Sequence, residues 1–300
     1  MKIVILGNGL IGKAIAAKLA ADNHEVVMAS RSIEDRVEGV QYRQHSFEEI
    51  IKATGLFEGA DAVIQTISTS SPASSMLDIC TDAHDNVLRN VQLIDRLAKL
   101  GTAKFIFLSS GGAVYGKDAA GKKIDESHAT EPISAYGVAK LAVEKYLQLY
   151  GYHFGLNYLI IRPSNVYGFI KNLKKPQGVI NHIIDATLNQ KKFRLWGSAE
   201  NRKDYLYAED LAEAIALAVL QQDNYRSRIY NVAYGETHSI GDIISIVEKL
   251  TGQKLGIEKV TAAGFDVTNI EVDGSRFRQD FNWRPATDLE SGIARILSKL

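Results

Sequence analysis

Tyr136 and Lys140 stand four positions apart in the stretch SAYGVAK, residues 134–140. That spacing sets both on one face of a helix, where a phenol and an ammonium can lie side by side. Two readings are open from the spacing alone: a proton-transferring tyrosine beside a cation, or two polar residues on a helix surface. A phenol titrates at about pH 10, so it is a poor base at neutral pH unless a neighbouring positive charge favours the phenolate. With that help, proton exchange with an alcohol becomes feasible.

A second constellation points to a ligand. GNGLIG places Gly7, Gly9 and Gly12 directly after the apolar run KIVIL and at the opening of IGKAIAAKLAA. Strand before and helix after is the context in which Gly-x-Gly-x-x-Gly holds a dinucleotide. Gly7 permits the tight turn, Gly9 lets the backbone approach a pyrophosphate, and Gly12 lets helix and strand pack closely. The backbone of Asn8, Leu10 and Ile11 completes a phosphate cradle at a helix N-terminus. The next strand ends in MASRS, so Ser30, Arg31 and Ser32 occupy the place where an acidic residue would bind a free ribose 2′-hydroxyl. An arginine flanked by hydroxyls suits a 2′-phosphate, which favours NADP over NAD.

These residues need elements to position them. KIVIL, EVVMA, DAVIQTI, KFIFLS and NYLIIR read as short strands separated by segments of helical period. That alternation is the pattern of an α/β protein with a parallel sheet covered by helices. Residues 82–100 predict one helix, capped by Asp82, with Val87, Val91, Ile94 and Ala98 on its buried stripe. The helix from about Tyr136 to Tyr150 is apolar nearly all round, which a sheet on one side cannot satisfy. Packing of these two helices against those of a second copy would cover it, so a homodimer is expected. After RPSNVYG the alternation weakens, and helices near 176–190, 210–221, 239–250 and 288–299 predict a smaller lobe. The division expected is 1–168 for the dinucleotide part, with some of 205–235 returning to it, and 169–300 mainly for the substrate part.

Composition narrows the classes of function. In 300 residues, Lys and Arg number 35 and so do Asp and Glu, so no global field would draw the chain to nucleic acid or to an anionic membrane. A single cysteine cannot form an internal disulfide, and no apolar run reaches the length of a membrane span. A cytoplasmic protein fits both facts. Seven histidines without metal-ligand spacing make a metal site unexpected. The only local basic run, KNLKKPQG at 171–178, reads as a solvated loop or a phosphate contact.

Taken in order, the glycine loop, SSGGAVYG (109–116), DESHATEPISAYGVAK, LIIRPSNVYG (159–168), NRKDYLYAEDLAEAI (201–215) and FNWRPATDLESGI (281–293) span nearly the whole chain. Together they resemble the extended short-chain dehydrogenase/reductase superfamily, specifically its nucleotide-sugar epimerases and dehydratases of UDP-glucose 4-epimerase-like pattern. The resemblance implies a doubly wound Rossmann-type sheet for NAD or NADP and a smaller C-terminal α/β lobe that closes over a nucleoside-diphosphate sugar. It makes Tyr136 the acid/base and Lys140 its partner, which also holds the nicotinamide ribose. The implied reaction is epimerisation by hydride transfer through a 4-keto sugar.

The departures from the family pattern are specific. The position that supplies a serine or threonine hydroxyl to the sugar is Gly111, one residue after Ser110, so either Ser110 serves or the amides of Gly111 and Gly112 donate. The diphosphate arginine is replaced by Lys203, beside Arg202, which keeps charge but loses the bidentate fork. A second such arginine falls near Ala263, and Arg276 or Arg278 could compensate. Asn165 matches a family position near the substrate, and Asn86 one on the long helix. Phe193, Leu195 and Trp196 either flank the base or belong to a core. The arginine in SRS keeps an NADPH-dependent 4-keto-sugar reductase as the alternative enzyme, and Gly111 keeps a non-catalytic dinucleotide sensor as the alternative outside enzymes.

Overall fold

Strand β1 (Lys2–Leu6) sends Ile3 and Ile5 to one face and Val4 and Leu6 to the other, and all four are sealed from water. A strand apolar on both faces belongs inside a sheet that is covered on both sides. The computed structural model, which describes residues 1–101, 104–116, 122–169, 178–221, 228–261 and 269–300, builds that sheet. After β1 come α1 (Leu10–Ala21), β2 (Glu25–Ser30), β3 (Val40–Gln44), α2 (Phe47–Lys52) and β4 (Ala62–Gln65). Next are α3 (Pro72–Ser75), α4 (Ile79–Ala83), a π-helical turn (His84–Leu88) and α5 (Arg89–Leu100). β5 (Phe105–Leu108), β6 (Lys123–Ile124), α6 (Ala135–Phe154), β7 (Tyr158–Pro163) and β8 (Asn165–Tyr167) complete the first part. The remainder runs α7 (Gly178–Leu188), β9 (Lys192–Trp196), β10 (Arg202–Tyr207), α8 (Ala208–Leu220), β11 (Ile229–Val232) and β12 (Thr237–Ser239). It ends with α9 (Ile240–Thr251), β13 (Gly256–Val260), β14 (Glu271–Val272), α10 (Ser275–Phe281) and α11 (Leu289–Ser298).

Seven strands form the central sheet in the order β3-β2-β1-β4-β5-β7-β11. Every neighbouring pair is parallel. The winding reverses between β1 and β4, which opens a crevice at the carboxyl ends of those strands. This is the doubly wound parallel sheet that the alternating runs predict, and all five of the predicted strands lie in it. One face packs on α1, α8 and α10 through Ile15, Leu19, Leu211, Ile215 and Phe277. The other packs on α2, α5 and α6 through Ile50, Leu93, Leu97, Val143 and Leu147.

The later elements build a second core around β10, which pairs with β8 and β12. Ile183, Phe193, Leu195, Tyr207, Ile243 and Ile293 meet there. Phe193 and Leu195 therefore belong to a core, while Trp196 is exposed with the Arg194 guanidinium over its ring. The chain does not leave the first core for good, because β11 crosses back to pair with β7 at the sheet edge.

The helix expected over 82–100 is interrupted. Asp78 caps α4 by accepting from the Thr81 amide, so Asp82 lies inside a helix and is not its cap. The π-turn inserts one extra residue per turn and rotates the stripe that follows. Asn86, Asn90, Leu93, Ile94 and Leu97 are buried in consequence, while Val87, Val91 and Ala98 are only half-buried.

Beneath the carboxyl ends of β5 and β7, Glu144 of α6 and Arg162 of β7 form an ion pair with 0% and 3% of their side chains exposed. Arg162 Nε and Nη2 donate to the two carboxylate oxygens at 2.9 and 2.5 Å, and Nη1 donates to the Tyr115 hydroxyl at 3.0 Å. Ser109 donates to Glu144 at 2.5 Å, and Tyr115 donates to the Asn231 side chain at 2.7 Å. Glu144→Gln would leave a sealed guanidinium without its counter-charge. Urea denaturation is expected to show a loss of about 3 kcal/mol or more in unfolding free energy.

Candidate active site

The glycine loop is built by close approach. Gly7 holds φ at +108°, a conformation that other side chains rarely adopt, and its amide donates to Ala29 O at 2.9 Å. A Cβ on Gly12 would overlap the Gly7 carbonyl oxygen, so helix and loop touch backbone to backbone. At Gly9, by contrast, nothing lies within 4 Å of where a Cβ would stand. Gly9 precedes α1 and offers no side-chain cap, so the first-turn amides of Leu10, Ile11 and Gly12 keep their donors for a ligand. Asn8 Nδ2 donates to the carbonyls of Ser32 and Glu34, and its buried Oδ1 is left without a partner. This cradle fits a pyrophosphate. Arg31 and Ser32 are exposed beside it and Ser30 is half-buried at the end of β2.

Across the crevice, Ser134 caps α6 by accepting from the Gly137 amide at 3.2 Å. This fixes the first helical turn, on which Tyr136 sits. The Tyr136 amide donates to Ser75 Oγ at 3.0 Å, and the Ala135 amide points at Met76 Sδ. The serine-rich segment after β4 therefore holds the turn from outside. STSSPASS was the sequence signal for this contact, a run of hydroxyls next to a strand end, and sequence reasoning passed over it.

Lys140, one turn further, is 8% exposed and donates from Nζ to Leu108 O at 2.8 Å. Its ammonium lies 5.7 Å from the centre of the Tyr136 ring and 4.9 Å from that of Phe107. Burial pulls the Lys140 ammonium down to about 8, while the charges of Glu144 and Asp82 act the other way. Burial pushes the Tyr136 phenol above the ordinary tyrosine value; the Ser110 hydroxyl favours the phenolate, and Asp82 disfavours it. The expected side-by-side help from Lys140 thus differs in form. The ammonium is engaged with the end of β5, and the hydroxyl that bears on the phenol comes from Ser110.

A side chain at Gly111, where the resemblance expects a hydroxyl, would be crowded. Its amide donates to Pro163 O at 2.8 Å, and a Cβ would press on Arg162 O at 3.1 Å and Pro163 O at 3.2 Å. Gly112 faces Asn165, whose Nδ2 donates to Asp204 O at 3.0 Å. Asp204 itself is fully buried and accepts from the amides of Tyr234 and Gly235 at 3.0 and 2.6 Å. Burial pushes its carboxyl up to about 6. It ties β10 to the turn after β11, and Lys203 precedes it on the alternate face of the strand.

Arg202 is exposed but already engaged, donating to Thr237 O at 2.7 Å and pairing with Asp242 at 3.4 Å. Arg276 pairs with buried Glu126 at 3.4 Å, and Arg278 with Asp273 at 3.6 Å. Neither is free to replace a diphosphate arginine without giving up its partner. Ala263 and residues 171–177 of the basic run lie outside the described residues. Asn86 accepts from the Thr69 amide at 3.0 Å and donates to Thr69 Oγ1 at 2.8 Å, which pins the segment after β4. In that segment's strand, Gln65 donates to Asn90 at 2.7 Å. Among the described residues no group of three or more His, Cys, Asp or Glu could hold a metal ion, and no helix is long and apolar enough to cross a membrane.

The model of the NAD dependent epimerase/dehydratase family matches residues 3–233, and the chain belongs to that family. A dTDP-4-dehydro-6-deoxyglucose reductase of Escherichia coli is 27% identical over 98% of this chain and 95% of its own length. The UDP-glucose 4-epimerase of Thermotoga maritima, solved with UDP-glucose, matches with a TM-score of 0.91 and 26% identity over 100% of this chain and 98% of that one. The UDP-glucose 4-epimerase of Thermus thermophilus, solved with NAD, matches with the same score, identity and coverage.

The depressed Lys140 value has a consequence for stability with a definite sign. Between about pH 8 and the ordinary lysine range the unfolded chain holds a proton that the folded site has released, so this group makes stability rise with pH there. Below about pH 8 both states hold the proton and the folded state bears the full cost of burying it. In urea denaturation, wild type should therefore gain on Lys140→Met across that window, by at most about 1.4 kcal/mol per pH unit.

Proposed function

We propose that the chain is a nucleotide-sugar 4-epimerase that uses a tightly held nicotinamide dinucleotide. The reading rests on one observation above all: Ser110 and Tyr136 converge at the carboxyl end of β5, across the crevice from a glycine loop whose amides are uncapped. Relatives solved with UDP-glucose and with NAD support it. Gly7, Asn8, Gly9, Leu10, Ile11 and Gly12 would hold the pyrophosphate, and Lys140 with Tyr136 the nicotinamide end. The bound dinucleotide supplies the chemistry that takes an alcohol to a ketone and back.

The chain's own residues supply the rest. Tyr136 removes the proton from the 4-hydroxyl of the sugar and later returns it. Ser110 donates to the same oxygen and favours the phenolate while the proton is away. Lys140 keeps the end of β5 and the first turns of α6 in register. Asn165, Gly111 and Gly112 line the sugar side, and Lys203 with Arg202 meets the diphosphate as point charges. A UDP-sugar is the substrate class the relatives favour. The dinucleotide part takes residues 1–168 together with the returning strand β11, and the substrate part takes most of 169–300.

Two finer points belong to the same reading. Exposed Arg31 between Ser30 and Ser32 favours a 2′-phosphate, hence NADP over NAD. Leu77 and Tyr152, 87% and 85% exposed, together with exposed Ile79 of α4 and Val138 and Leu149 of α6, are apolar side chains that a homodimer in a cytoplasmic setting would cover. The reductase remains the second reading, favoured by Arg31 and by the Escherichia coli relative. The two readings separate on cofactor use. An epimerase recycles what it holds, whereas a reductase consumes NADPH in proportion to product.

Purified protein should interconvert UDP-glucose and UDP-galactose without added cofactor, and Tyr136→Phe should lower kcat by about 10³-fold with the dinucleotide still bound. Product analysis by chromatography and mass spectrometry of the native protein check both; no interconversion together with NADPH consumption on a 4-keto sugar selects the reductase. Arg31→Asp should move the ratio of affinities from NADP toward NAD, measured by calorimetry, and an unchanged ratio removes the argument for a 2′-phosphate site.

A further inference from the structure

Of residues 71–80 only Ser75 is buried, at 1% exposed. A sealed hydroxyl in an otherwise open stretch has to be satisfied, and both of its hydrogen-bonding functions are used. Its proton goes to Pro72 O at 3.0 Å, which leaves a lone pair on Oγ to accept from the Tyr136 amide at 3.0 Å. Helix α6 needs that acceptor, because the first amides of a helix have no partner within it. Ser134 takes the Gly137 amide. Ala135 and Tyr136 are then answered by the segment after β4: Ala135 by the Met76 sulfur at 3.4 Å, a weak acceptor, and Tyr136 by Ser75. The cap of α6 is shared between its own Ser134 and a hydroxyl from far along the chain, and the distant share falls on the residue proposed as acid/base.

The segment that carries Ser75 is itself anchored at three further points. At its start Thr66 Oγ1 donates to Leu6 O at 2.8 Å, one residue before Gly7, and a Cβ on Gly7 would press on that same Oγ1. In its middle Asn86 accepts from the Thr69 amide at 3.0 Å and donates to Thr69 Oγ1 at 2.8 Å and to Ser70 Oγ at 3.3 Å. A capping box between Ser71 and Ser74 then sets the short helix α3, which packs against α6. Residues 66–75 therefore run as one tied strap from the glycine loop to the first turn of α6. The strap joins the loop proposed for the dinucleotide to the turn proposed for proton transfer.

We infer that Ser75 is a positioning residue for Tyr136: its hydroxyl caps the Tyr136 amide from outside α6 and so holds the phenol in register with the glycine loop through the segment 66–75. The inference rests on the proposed reaction for its meaning, but the first of its two tests needs no turnover. Without the hydroxyl the amide becomes an orphan donor, the first turn of α6 loosens, and the phenol loses its fixed place beside Ser110.

The first test is amide hydrogen exchange by NMR in the full chain as purified. Ser75→Ala removes one oxygen and leaves the rest of the side chain. Exchange at Tyr136 should quicken by about tenfold or more, while Gly137, capped by Ser134, should keep its wild-type rate. The second test is turnover. In Ser75→Ala, kcat for the interconversion of UDP-glucose and UDP-galactose should fall by about tenfold, with KM and the retained dinucleotide unchanged, a split that a role in packing alone would not produce. Ser75→Thr, which keeps the hydroxyl, should return both readings toward wild type. If Ser75→Ala does not fold, Ser75→Cys keeps the volume with a weaker acceptor and is read in the same way. An unchanged exchange rate at Tyr136 overturns the inference, and so does a quickened one that leaves kcat intact. A wild type that turns over no nucleotide sugar would sink the proposed reaction, while the exchange rates still decide whether Ser75 holds residue 136.

Discussion

Glu144 and Arg162 are both closed off from water, and neither charge is tolerable there without the other. Taking such a pair out of water is repaid only if geometry and hydrogen bonding are complete. Here they are complete: the guanidinium uses Nε, Nη1 and Nη2, lies 5.0 Å from the centre of the Tyr115 ring, and leaves the carboxylate one further donor in Ser109. The knot ties α6 to β5 and β7, and through Tyr115 and Asn231 to β11. Lys140 is one turn before Glu144 and Ser110 is the neighbour of Ser109. Lys140 and Ser110, two of the residues proposed for the chemistry, thus stand beside one ionic contact that neither of them makes.

The same closeness crowds position 111. The chain after β5 runs so near the end of β7 that a side chain at residue 111 would need its neighbours to give by a few tenths of an ångström. A hydroxyl for the phenol has to come from a neighbour whose side chain is not turned into that contact, and Ser110 is such a neighbour.

What the sequence made legible was whatever is written locally. Two-sided apolar runs such as KIVIL and FIFL read as buried strands, and Gly7 and Gly12 report close approaches that a side chain would block. The Tyr136–Lys140 spacing is likewise a property of one helix. Other features depend on partners far along the chain: Arg162 meets a residue 18 positions away, and Gln65 one 25 positions away. The π-turn at 84–88 has no local mark, so the stripe read from Val87, Val91 and Ala98 was off by one position and Asp82 looked like a cap. Asp204 sat in plain view beside Lys203, but its burial is decided by amides at 234 and 235.

The course of the chain through β11 also governs what can be cut away. α8 covers α1, and β11 supplies the last neighbour of β7, although both come after the first-part sequence has ended. A fragment stopping at the close of β8 would carry an unpaired, mostly apolar sheet margin and a bare helical surface, the two features that drive sticking between chains. Trimming this protein to a minimal dinucleotide carrier therefore cannot proceed by truncation; it would require splicing a distant strand and helix back in.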